Sequence, residues 1–259
     1  MTRESNNPEE WRRALGKDLL VPGGMISRVE VVEQTSSTMQ EAREFAGASP
    51  GVAVIAMRQL GGRGRLGRRW LDERGEGLAM TLALPASLGA DRIAVGTGIA
   101  VCVAMERLGV EAPRLRWPND VLADDRKLCG ILIETSGDIA FTGIGLNVHQ
   151  REWPAPLEGV AISLAELGVE TDRVRVASEI VRAAEETLSA SHAALIEQFR
   201  RYDLLIGARA EFEAAGRRFS GEVLDIDPFR GLKVRTMDGV IHLDARTTSV
   251  LHRHADRRV

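Results

Sequence analysis

The chain is short of cysteine, aromatic rings, long apolar runs and net positive charge, and each shortage closes a class of function. Cys102 and Cys129 lie far apart in apolar surroundings with no CxxC spacing. That pattern points to buried free thiols in a reducing compartment, not to a disulfide framework or a zinc site. Aromatic residues at 4% and a formal net charge of −3 provide neither a stacking platform nor a global basic field for nucleic acid. No apolar run reaches the roughly 18 residues of a bilayer span, and residues 1–10 lack the apolar centre of a signal peptide. The expectation is a soluble, cytoplasmic protein with no membrane and no specific DNA partner.

What is present suffices for a large core. Hydrophobic residues make up 44% of 259 positions, enough for one large domain with a smaller one. Asn7-Pro8-Glu9-Glu10 is a helix start: a cap, proline in the first turn, then acids at the positive end of the dipole. Trp11, Leu15 and Leu19 give that helix one apolar stripe, and Pro22-Gly23-Gly24 should end it. Strands are expected at 29–32, 52–57, 77–84, 115–117, 121–123, 128–135 and 139–148. Helices are expected from a Ser37/Gln40 or Thr38/Glu41 capping box to about Phe45, at 93–108, briefly at 164–167, and at 174–202. From Gly207 the pattern changes to short alternating runs at 210–212, 221–226, 232–235 and 240–243. These are separated by Ala215-Gly216, Phe229-Arg230-Gly231 and Met237-Asp238-Gly239, which are turn signals. The fold class expected is α+β, a mixed sheet packed with helices plus a small C-terminal β-barrel. The implied divisions are an N-terminal helical extension (1–27), a main domain (28–206) and the barrel (207–259). His252 and His254 read as a solvated tail.

Three clusters carry candidate chemistry. The first, at 59–70, is Gln-Leu-Gly-Gly-Arg-Gly-Arg-Leu-Gly-Arg-Arg-Trp. Glycine lets the backbone approach a ligand and arginine offers a planar fork for phosphate or carboxylate, so the segment is either a basic linker or a loop that closes over an anion. Its Gly62-x-Gly64-x-x-Gly67 matches the dinucleotide fingerprint in letters alone. No apolar helix begins inside it, so that reading fails. The second is Arg116-Trp117-Pro118-Asn119-Asp120, in which Asn119 and Asp120 either shape an Asx turn or offer oxygens to Mg²⁺. The third is Lys127 with Gly130, a hairpin ion-pair residue or a point charge for an anion. Gly143 and Gly145 fall on one face of a strand and leave a shallow floor for a flat ligand.

In this order, with the hydroxyl run Thr35-Ser36-Ser37-Thr38 before them and Gly143-Ile144-Gly145-Leu146-Asn147 after, the clusters strongly resemble those of biotin–protein ligases. The resemblance implies a two-step, ATP-dependent enzyme. Biotin and ATP give biotinyl-AMP and pyrophosphate, and a lysine on the biotin carboxyl carrier domain of a biotin-dependent carboxylase then displaces AMP. It implies that Arg63, Arg65 and Lys127 stabilise developing charge, that Asn119 and Asp120 hold Mg²⁺, and that Asp120 is a candidate to take the proton of the incoming amine. The biotin site implied comprises Ser37, Thr38, Met39, Gln59, Gly62, Arg63, Gly64, Arg65, Lys127, Gly130, Gly143 and Gly145. The nucleotide would meet Arg65, Trp70, Asn119, Lys127 and Asn147.

Two features depart from the family pattern or bear on it. Met39 stands where members usually have asparagine after the Ser-Thr pair. No winged-helix unit fits in the leader, so repressor activity is not expected. Family members include monomers and homodimers, and both remain open. The alternatives are a lipoate–protein ligase-like enzyme and, in another class, an arginine-rich nucleic-acid binder.

Overall fold

A computed structural model describes residues 5–20, 22–64, 69–72, 75–244 and 247–254. The chain opens with α1 (Pro8–Leu19), capped as expected by the Asn7 side chain, which accepts from the backbone N–H of Glu9. Next come β1 (Arg28–Thr35), α2 (Thr38–Ala46) and β2 (Val52–Gln59). The ribbon β3 (Gly62–Arg63) and β4 (Arg69–Trp70) follows, then β5 (Leu78–Pro85) and α3 (Ala90–Arg107). The main unit continues through β6 (Arg114–Arg116), β7 (Asp120–Ala123), β8 (Arg126–Ser136), β9 (Ile139–Leu146), α4 (Arg173–Leu188) and α5 (His192–Tyr202).

Seven strands form one sheet in the order β1-β2-β5-β9-β8-β7-β6. Only the β1–β2 pair is parallel, because α2 carries the chain back between them. Alternation along β2 divides the two faces. Ala53 and Ile55 join the main core with Trp11, Leu15 and Leu19 of α1 and with the apolar faces of α3 and α4. Val52 and Val54 face the other way and pack with Ala42 and Ala46 of α2, together with Ala83, Ile139 and Phe141. Helix α2 is short and covers only part of this second face. The remainder, around Thr81, Gly143, Gly145 and Gly130, lines a groove.

Three local expectations are corrected. The predicted helix at 174–202 is two helices, because Ser191 caps a new start through its hydroxyl to the N–H of Ala194. Arg92 satisfies the carbonyl of Leu188, at the end of the first helix, at 3.0 Å. The segment at 164–167 makes a single turn, closed by reciprocal bonds between Ser163 and Glu166. Neither capping box at 37–41 forms: the Ser37 hydroxyl makes no cap bond, and the N–H of Thr38, which Glu41 would accept, donates to Gln59 while Glu41 accepts from Thr35.

The C-terminal segment is the expected β-rich unit: β10 (Arg209–Ala214), β11 (Arg217–Asp227), β12 (Gly231–Thr236), β13 (Gly239–Asp244) and β14 (Thr248–His254). They hydrogen-bond antiparallel in the order β13-β12-β11-β10-β14. Ala215 and Gly216 both have positive φ, as a tight hairpin turn requires. His252 and His254, expected in a solvated tail, belong to strand β14 paired with β10. Cys102 and Cys129 are buried and free, and burial raises both thiol pKa values. Among the described residues, no helix is long and apolar enough to cross a membrane.

Candidate active-site groove

The groove has a volume of about 1040 Å³ and is lined from both units of the chain. At one end a buried polar network forms where α2 begins. Gln59 Oε1 accepts the backbone N–H of Thr38 at 2.7 Å and its hydroxyl at 3.1 Å, and that hydroxyl lies 2.9 Å from the Thr81 hydroxyl. Ser37, half-buried at the helix cap, lines the groove beside it. Of the four hydroxyls at 35–38, Thr35 instead holds Glu41 at 2.7 Å.

The floor comes next. Thr81 pairs with Gly143, and Gly145 pairs with Gly130 across β9 and β8. A Cβ on Gly143 would lie 3.0 Å from the terminal methyl of Met39. A Cβ on Gly145 would lie 2.5 Å from Cε2 of Trp70, closer than any real contact allows. Trp70 thus leaves no room for a side chain at position 145, and the flexible end of Met39 closes tightly on position 143. Trp70 is brought there by the ribbon, in which Gly62 pairs with Trp70 and Arg63 with Arg69. Arg63 and Gly64 line the groove; Arg65 and Gly67 lie outside the described residues.

At the far end is a charged cluster. A tight turn over Trp117-Pro118-Asn119 places Arg116 opposite Asp120 in the β6–β7 hairpin. Asp120 is gripped from both sides, by Arg116 at 2.7 Å and by Lys127 Nζ at 2.7 Å. Lys127 and Gly130 are three apart and would face opposite sides of a regular strand. A bulge in the β7–β8 pairing, between Val121 and Leu122, shifts the register there. Leu128 and Cys129 are consequently both buried, while Nζ of Lys127 lies 3.1 Å from a Cβ built on Gly130. Lys127 is an ion-pair residue that also lines the groove. The Asn119 amide nitrogen donates to the carbonyl of Ile131 at 2.9 Å. Asn147 is 3% exposed, and its amide nitrogen donates to the carbonyls of Lys127 and Ile162. It ties the lysine strand to the segment at 160–162, which forms the outer wall with Trp153 and Leu157.

Several lining residues are absent from the sequence-derived set. Thr81 had a signal, as the one polar residue in an otherwise apolar β5. Glu213 and Leu251 of the C-terminal sheet had none, because their place depends on how that sheet docks.

The exit of the glycine–arginine segment is pinned by Asp72. This carboxylate is 6% exposed and accepts the N–H groups of Glu76 and Gly77 at 3.0 and 2.8 Å. Burial raises its pKa to about 6, and the Gly77 bond and Arg173 offset only part of that. A raised carboxylate favours the folded state most below its unfolded value of 3.8, and the advantage is lost as pH rises through about 6. Asp72→Asn keeps the acceptor oxygen and removes the charge. Urea unfolding at pH 4 and pH 7 should show the wild type losing more stability than the variant across that window, by about 2 kcal/mol. Equal pH dependence in the two proteins would contradict this account of Asp72.

Residues 29–150, which contain most of the residues lining this groove, match the Biotin/lipoate A/B protein ligase family. The chain is 33% identical over 241 residues to a biotin–[acetyl-CoA-carboxylase] ligase of Mycobacterium tuberculosis, covering 87% of this chain and 90% of that one. It is 27% identical to the bifunctional ligase/repressor BirA of Escherichia coli, over 90% of this chain and 77% of that protein. A solved biotin protein ligase from Aquifex aeolicus, in complex with biotin and ATP, superposes with a TM-score of 0.79 at 27% identity, covering 86% of this chain and 98% of that chain. With a relative of that identity matched along nearly its whole length, the chain belongs to the biotin protein ligase family.

Proposed function

We propose that the protein joins biotin to ATP as biotinyl-AMP and then transfers the biotinyl group to a lysine of a biotin carboxyl carrier domain. The observation that carries this reading is the order of features along one groove: a buried hydroxyl–amide network, a glycine floor, then a Lys–Asp–Arg cluster. A molecule with a cyclic urea at one end and a carboxylate at the other matches that order. Thr38, Gln59 and Ser37 face the urea, the ring system crosses Gly143, and the side chain runs along Trp70, which covers Gly145, toward Lys127.

In the first step a carboxylate oxygen bonds to the α-phosphorus of ATP and pyrophosphate leaves. Two anions must meet, so fixed cations lower the barrier. Lys127 and Arg63 fill that role in this reading, together with Arg65. The Nε1–H of Trp70, buried without an acceptor among the described residues, is a further donor for a ligand oxygen. Asn119 and Asp120 supply oxygen donors of the kind Mg²⁺ takes alongside nucleotide phosphates, and a bound ion would neutralise phosphate charge there. Asp120 already grips two cations, which holds Lys127 in position before substrates arrive. In the second step the lysine amine attacks the acyl carbon, AMP departs and the amine loses a proton, for which Asp120 is the nearby carboxylate. Asn147 acts by holding Lys127 and the outer wall of the nucleotide end.

Incubation with ATP, biotin, Mg²⁺ and an isolated carrier domain should add one biotinyl group to one lysine, read by mass spectrometry. Lipoate in place of biotin should add nothing; lipoyl transfer at a comparable rate would favour the lipoate–protein ligase alternative.

A further inference from the structure

We propose that Met39 determines which ring system the site accepts, by forming the wall over the part of the floor where the second ring of the ligand lies. This rests on the reading that the groove binds biotin. Met39 sits in the first turn of α2, is half-buried and lines the groove. Its terminal methyl comes within 3.0 Å of a Cβ built on Gly143. Behind it lies the apolar cluster of Ala42, Ala46, Val54, Ala83 and Phe141. Immediately beside it, Thr38, Gln59 and Thr81 make the polar network.

The position of Met39 along the floor is what assigns it to the ring. Gly143 pairs directly with Thr81, so it adjoins the polar end, whereas Gly145 pairs with Gly130, beside Lys127. Two residues along a strand span about 6.7 Å, roughly the length of two fused five-membered rings. A cyclic urea bound at Thr38 and Gln59 therefore puts its fused, sulfur-containing ring against Met39 and its acyl chain against Trp70. An unbranched thioether with three rotatable bonds can shift off Gly143 and close on an apolar, polarisable ring. An amide in the same place would present polar atoms to that ring, and a shorter side chain would leave a gap.

The test compares biotin with desthiobiotin, which keeps the cyclic urea and the acyl chain but lacks the second ring. Biotin- and desthiobiotin-dependent exchange of pyrophosphate into ATP is measured for the unaltered protein, Met39→Ala, Met39→Gln and Met39→Leu. Met39→Ala and Met39→Gln should raise KM for biotin about 10-fold, with kcat within about 3-fold, and leave KM for desthiobiotin within about 3-fold. Met39→Leu, close in volume and apolar, should stay within about 3-fold for both ligands. Equal changes for the two ligands, or no change for either, overturn the proposal. Met39→Gln keeps the helix-forming length of the side chain, so the comparison stands if the alanine variant folds poorly. Exchange with neither ligand in the unaltered protein overturns the ligase reading itself, and the specificity proposal with it.

Discussion

Lys127→Ala is expected to slow biotin-dependent exchange of pyrophosphate into ATP by about 10²-fold or more, as loss of a donor to developing charge does. The reasoning starts from position. Nζ of Lys127 lies 2.7 Å from Asp120 and 5.6 Å from the centre of the Trp70 ring, at the end of the floor where carboxylate and phosphate meet in this reading. The bulge that re-aims Lys127 buries two consecutive apolar residues beneath it, so the ammonium is carried on a rigid strand. The ion pair is partly solvated, with 29% of the lysine side chain exposed, so its loss should cost at most about 1 kcal/mol of stability. The variant should therefore stay folded and lose turnover. Lys127→Arg should not restore it, because a planar fork cannot occupy the place of a compact charge between Asp120 and Trp70. Near-normal exchange in Lys127→Ala would remove this residue from the reaction.

Gly145→Ala should raise KM for biotin by about 10-fold or more through a steric route. Its new Cβ would stand 2.5 Å from Cε2 of Trp70 and 2.8 Å from Cδ2 and Nε1. Strand β9 is paired on both sides, to β5 and to β8, so the backbone cannot give way and the indole must. Trp70→Ala removes the obstruction along with the wall. The double variant should then bind biotin as Trp70→Ala alone does, a non-additivity that defines direct contact. If the two changes instead multiply, Trp70 and Gly145 do not meet in the working enzyme.

Much of the frame was readable before any coordinates, for reasons that differ by element. Helix α1 announced itself because its cap, proline and apolar stripe are all local. The central strands β2 and β5 were visible as short apolar runs bounded by glycine or proline, and the C-terminal sheet through its alternation and regularly spaced turns. The break at Ser191 was hidden because apolar periodicity continues across it; a single hydroxyl cap and Arg92 from a distant helix decide where one helix stops. The Ser37–Thr38 run suggested a capping box, but Gln59, on a neighbouring strand, takes the donors first. In the site, the types of residue were legible and their partners were not. Glycines at 143 and 145 imply a floor, while only the fold reveals that Met39 and Trp70 lie on it. The orientation of Lys127 depends on one extra residue in β8, and no pattern of letters marks that bulge.

The central claim is that the groove activates the carboxylate of biotin with ATP. Its most direct measurement is isotope exchange between pyrophosphate and ATP, with biotin as the only variable and no acceptor protein present. The account predicts exchange that requires Mg²⁺, saturates with biotin and is absent with lipoate. Exchange that proceeds without biotin, or no exchange when biotin and ATP are both saturating, would contradict it.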